Sequence, residues 1–167
     1  MDLQAGAAEI KRAKHLHSVL LFDFIVIHIF VFLIAVSVIT TTIIPMILMP
    51  LLSIASLGYV LLKARQARTQ EPSWFVRSHS LLAAKRARLF LALFLVTGTF
   101  TAVMFFGGTK MGFSPIATKA LAFGLGQLPF MLSLLVLVVL EFDAEHQCSS
   151  GKVPAAAAAL CPPPKEA

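Results

Sequence analysis

Four long apolar blocks, Ser18–Thr40, Ile43–Leu62, Leu89–Phe106 and Ala120–Leu140, are set apart by short polar stretches. Each is close to the ~20 residues a helix needs to cross the ~30 Å hydrocarbon core of a bilayer. The pattern predicts an all-α integral membrane protein, a four-helix bundle whose spans occupy residues 18–142. Thr40-Thr41-Thr42 leaves only a minimal turn between the first two spans, which makes them antiparallel neighbours.

The polar stretches differ in charge. Of the fourteen Lys and Arg, seven lie between Lys63 and Arg88, and Lys11, Arg12 and Lys14 stand ahead of the first block. The connections after the first and third blocks are nearly neutral. Basic residues beside spans stay on the cytoplasmic side. Both termini are therefore expected in the cytoplasm, with a head at 1–17, a basic loop at 63–88 and a disordered tail at 143–167. The expected location is a bacterial inner membrane, traversed several times.

Composition changes the picture in one respect. The chain is 58% hydrophobic and 13% charged, whereas a soluble domain carries about a quarter charged residues. Its net charge of +6 is accounted for by the loop and head, so it argues for contact with anionic phospholipid and not with nucleic acid. Cys148 and Cys161 both fall in the tail, at a spacing that matches no common metal or redox pair.

Within the blocks, Pro45 sits in a first helical turn where its missing N–H costs little, while Pro50 lies further in and predicts a bend. Ser73 is placed to cap a helix starting near Trp74. Aromatic and basic residues alternate from there, predicting an interfacial amphipathic helix that leads into the third span. Gly98 and Ala102, Ala120 and Gly124, and Ala122 and Gly126 are small residues four apart, which predicts close packing of the third and fourth spans.

Few residues carry chemistry. His28 lies ten residues past Ser18, or about 15 Å into the membrane, where an ionisable group marks a functional site by default. A neutral, hydrogen-bonded histidine is the simpler expectation. Asp23 is the one acid inside a span, expected to pair with Lys63, Arg86 or Arg88. Being five residues apart, Asp23 and His28 are expected on different faces of an α-helix, linked only through water or a third group such as Gln127. His15, His17 and His79 share the basic side of the chain, with no spacing that demands a metal. Arg77, Lys85, Arg86 and Arg88 form a basic cluster suited to phospholipid or an acidic partner.

The stretch from Trp74 to His79, followed by Lys85-Arg86-Ala87-Arg88, resembles small bacterial four-span proteins of unassigned function. Small multidrug-resistance exporters also have four spans and an acid in the first, but the long inner loop and tail depart from their compact form. With one Asp and one His on different faces, no catalytic constellation is in view. The reading is thus a non-enzymatic accessory or scaffold subunit, without metal or cofactor, that binds a membrane partner or its own copies. A proton-coupled transporter using Asp23 and His28 is the alternative, and a haem- or quinone-binding subunit the third.

Overall fold

Long runs of apolar residues, broken by proline, glycine, hydroxyl side chains and the few groups Asp23, His28 and Gln127, leave the backbone no partner but itself, and helices result. A computed structural model of the chain describes residues 5–38, 41–108 and 110–164. Thr40 of the expected outer turn, Thr109, and the ends at 1–4 and 165–167 lie outside the described residues. The structure is 85% helix, with no strand among the described residues, as an all-α chain requires.

The first helix, α1, runs from Ala7 to Val38. Gly6 opens it, its N–H donating to Glu9 Oε2 at 2.9 Å. The central part, Asp23–Val31, is a π-helix between two α-helical parts. Thr41 and Thr42 then donate their N–H groups back to the Val38 carbonyl. Helix α2 spans Ile44–Gln70, with Pro45 in its first turn and Pro50 inside it. Thr42 Oγ1 accepts the Ile44 N–H at 3.2 Å. Helix α3 spans Trp74–Gly107, and Ser73 Oγ accepts the Val76 N–H at its start. Helix α4 covers Pro115–Ser149. Ser114 caps it, and Leu121–Gln127 is a second π-helical part. A short helix, α5, follows at Ala155–Leu160.

Helices α1 to α4 are each long and apolar enough to cross a membrane. Large apolar side chains stand exposed along all four, among them Phe30 at 57%, Leu62 at 64%, Val96 at 70% and Leu132 at 62%. Apolar area on this scale needs a covering, and lipid supplies one.

Three expectations are revised. The 34 residues of α3 extend about 51 Å, well beyond the ~30 Å hydrocarbon core. Its first turns are continuous with the span and do not form a separate interfacial helix. Phe75, Val76 and Leu82 are buried within the protein instead of lying among headgroups. Helix α2 likewise carries on past Leu62 to Gln70. The tail, expected to be disordered, continues α4 to Ser149 and then forms α5. Ala157 of α5 packs with Leu82 and Ala144, each at most 2% exposed.

The chain divides into two compact units. One comprises Met1–Ala87 with Val138–Ala167. Its buried side chains include Leu20, Phe24, Leu57 and Val60, and Ala13, Phe75, Val76 and Cys148 form a second cluster. The other unit is Arg88–Leu137, in which the rings of Phe90, Phe94 and Phe130 pack at centroid separations of 5.5–6.2 Å.

Candidate functional site

The first unit holds a buried line of hydrogen-bonded polar groups. Residue 17 lies just before the first apolar block, 86 just before the third and 141 just after the fourth, so antiparallel helices bring all three to one end. His79 Nε2 lies 3.0 Å from the Lys152 carbonyl. A carbonyl only accepts, so that nitrogen carries the proton. With His79 neutral, its Nδ1 then accepts from His17 Nε2, 3.1 Å away. The other nitrogen of His17, Nδ1, meets Glu141 Oε1, and a single proton is held between them. Arg86 Nη1 donates to Glu141 Oε2 at 2.8 Å. His17, His79 and Glu141 are 0% exposed, and Arg86 9%. Burying such groups is costly unless each is paired, and here each is.

One and a half turns beyond His17 is Asp23, also fully buried. Two hydroxyls of α2 cradle its carboxyl group: Ser56 Oγ is 2.5 Å from Oδ1 and Ser53 Oγ is 3.3 Å from Oδ2. Ser53 and Ser56 reach the same carboxyl group because three residues separate neighbours on a helix face. His28 Nδ1 lies 3.1 Å from the Asp23 carbonyl and 3.6 Å from Asp23 Oδ2. The expectation that Asp23 and His28 point apart is therefore overturned. In a π-helix the backbone bonds reach five residues instead of four, and this winding stacks residue 28 over residue 23. The Asp23 partners are serines and His28; Arg86 pairs with Glu141 instead.

The remaining sequence candidates are distributed as follows. Gln127 Nε2 donates to Thr101 Oγ1 at 3.3 Å, inside the second unit. Thr101 also bonds the Ala122 carbonyl, and a methyl group built on Gly126 would run into the Thr101 side chain. Ala122 and Gly126 thus sit at a close approach. Gly98 faces open space and Ala102 is exposed, so Thr101, and not a small residue, is what meets Gly126. The basic cluster divides. Arg86 turns inward, and Arg77 Nε donates to Cys161 Sγ at 3.3 Å, while Lys85 and Arg88 stay exposed.

Sequence reasoning missed Glu141 and the inward turn of His17 and His79. The usable signal was the membrane face: an acid just past the last block, a histidine just before the first and an arginine just before the third. No three His, Cys, Asp or Glu side chains converge as a metal site among the described residues. No protein-family model, curated protein or solved structure matches the chain.

Proposed function

We propose that the chain is a non-catalytic multi-pass membrane protein that moves protons along α1. One observation carries this reading: His17, Asp23 and His28 are three protonatable side chains on one helix, and none is more than 1% exposed. Ionisable groups inside spans are costly, face an interior or a water-filled route, and mark proton relays. Here they climb from the polar end of α1 into its apolar centre, Asp23 about 9 Å beyond His17 along the helix and His28 Nδ1 3.6 Å from Asp23 Oδ2. The histidine pair supports the reading, because each ring can pass a proton from one nitrogen to the other. The basic segment at 63–88 supports a topology with both termini in the cytoplasm, and the proposed location is a bacterial inner membrane. Four helices enclose little space, so the route forms against a second copy or a membrane partner.

A second reading is the accessory or scaffold subunit. In its favour, every ring nitrogen of His17 and His79 is bonded within the protein, as a purely architectural network would be.

The test is reconstitution into liposomes enclosing a pH-sensitive dye, with a potassium diffusion potential to drive protons. Flux is expected for the wild type and its loss for both Asp23→Asn and His28→Ala. Wild-type vesicles as tight as protein-free ones would sink the proposal. The assignment would then pass to the second reading, whose positive result is a stoichiometric partner in a mild-detergent purification.

A further inference from the structure

On the same unit as the α1 residues above, an open cleft of about 780 Å³ lies between the first turns of α1 and the last turns of α2, with Val76 and Ser80 of α3 also lining it. Lys11 and His15 enter it from α1, and Tyr59, Lys63, Gln66 and Gln70 from α2. These positions follow helical spacing on both sides, so each helix presents one polar stripe.

Four cations and one carboxylate, Glu71, line the cleft, and the cations are not equivalent. Arg12 is held by Glu71 at 3.1 Å and Lys14 by Glu145 at 3.5 Å. Lys11 and Lys63 have no acid within ion-pair distance among the described residues, although they line the same space from opposite helices. His15 Nε2 and Tyr59 Oη are 2.9 Å apart, with their rings edge to face at 5.8 Å, which ties α1 to α2 at one side of the cleft. The side-chain amides of Gln66 and Gln70 add N–H donors. The result is an uncompensated positive site offering several donors, the complement of an anion with several oxygens.

The depth of the cleft narrows the chemistry. It begins at Tyr59, near the end of the second apolar block, and reaches outward to Gln70, about 16 Å along α2. That range covers the headgroup layer, where phosphate is the abundant anion. We infer that the cleft is a phosphate-binding site formed by Lys11 and Lys63 across α1 and α2. Its ligand is the phosphate group of an anionic phospholipid or free phosphate.

Native mass spectrometry of the full-length protein in mild detergent tests this, with phosphatidylglycerol, phosphatidylcholine and inorganic phosphate as probes. Phosphatidylglycerol is expected to bind more tightly than phosphatidylcholine. The double variant Lys11→Gln, Lys63→Gln is expected to weaken it by about tenfold or more. Arg65→Gln, Arg68→Gln is the control, since these exposed residues of α2 do not line the cleft. Phosphatidylglycerol adducts that inorganic phosphate does not displace identify a lipid site; displacement at equal concentration identifies a site for the free anion. Binding that both double variants weaken equally, or neither weakens, overturns the inference, as does failure of every probe to bind. Circular dichroism and elution volume matching the wild type establish that the variants are folded. The outcome is independent of proton flux, so the two proposals fail separately.

Discussion

His17 and His79 meet edge to face, with ring planes at 88° and Nε2 of the first 3.1 Å from Nδ1 of the second. Each ring has its other nitrogen bonded as well, one to a carboxylate and one to a carbonyl. The direction of the line is therefore set from its end. The Lys152 carbonyl fixes the proton on His79, which fixes the one on His17, which places a third between His17 and Glu141. Reversing the line requires an imidazolium at His79.

Glu141 anchors that line and neutralises Arg86, with both side chains largely out of water. Removing one partner of a buried pair leaves the other uncompensated, at a cost of about 3–5 kcal/mol. Glu141→Gln and Arg86→Leu are each expected to destabilise on that scale. The double variant should lose clearly less than the sum, read as a coupling in a double-mutant cycle of detergent unfolding. Strict additivity would show that the pair is not an energetic unit.

The chain has one tryptophan, and its indole N–H donates to the Cys161 carbonyl at 2.8 Å. Truncation after Gly151 removes that acceptor, the Lys152 carbonyl and α5 together. Trp74 fluorescence is expected to shift to the red as the indole becomes hydrated. In the intact protein, α5 should resist protease under conditions that cut an unstructured tail. An unchanged emission spectrum would argue against docking of α5 beside Trp74.

Gly126 and Gly98 occupy opposite situations on the two helices of the second unit. Gly126→Ala forces a methyl group against Thr101 and is expected to cost about 1–3 kcal/mol by overpacking. Gly98→Ala meets nothing within 4 Å and should be neutral, or stabilising by up to about 1 kcal/mol through helix propensity. Thermal unfolding in detergent separates the two. Thr101→Ala in the Gly126→Ala background should restore part of the loss.

Ser56 makes the shortest bond to Asp23, and Ser53 a longer one. Ser56→Ala is expected to destabilise by about 1–2 kcal/mol, the cost of leaving a buried acceptor short of a partner. It should also slow proton flux without abolishing it. Ser133→Ala, whose hydroxyl only bonds back to the Pro129 carbonyl on an exposed face, should do neither.

The helices were legible because length and hydropathy report directly on what a bilayer permits, and Pro45 and Ser73 marked their starts. The π-helical winding was not. Asp23-Phe24-Ile25-Val26-Ile27-His28 is apolar on nearly every side, so no periodicity distinguishes five-residue from four-residue bonding. The placement of Asp23 and His28 hung on that choice. The tail misled for a different reason. Its alanines and prolines have little to bury by themselves, and α5 owes its place to Ala144 of α4 and to Leu82, 75 residues before Ala157. Gly98 and Ala102 show the limit of the small-residue rule. A spacing of four says that two residues share a face, and not that the face has a neighbour.

The line from Lys152 to Arg86 also has a history in time. His17 is synthesised early, Arg86 midway, and Glu141 comes 124 residues after His17. Until Glu141 has been made, a growing chain holds Arg86 and the histidine pair without the carboxylate that bonds both in the folded protein. The carbonyl that sets the direction of the line arrives later still. A product that stops at Leu140 would carry all four apolar blocks and yet lack the residue that closes its polar end. The network thereby closes last at its polar end, since Arg86 gains its carboxylate only with Glu141 and His79 its carbonyl only with Lys152.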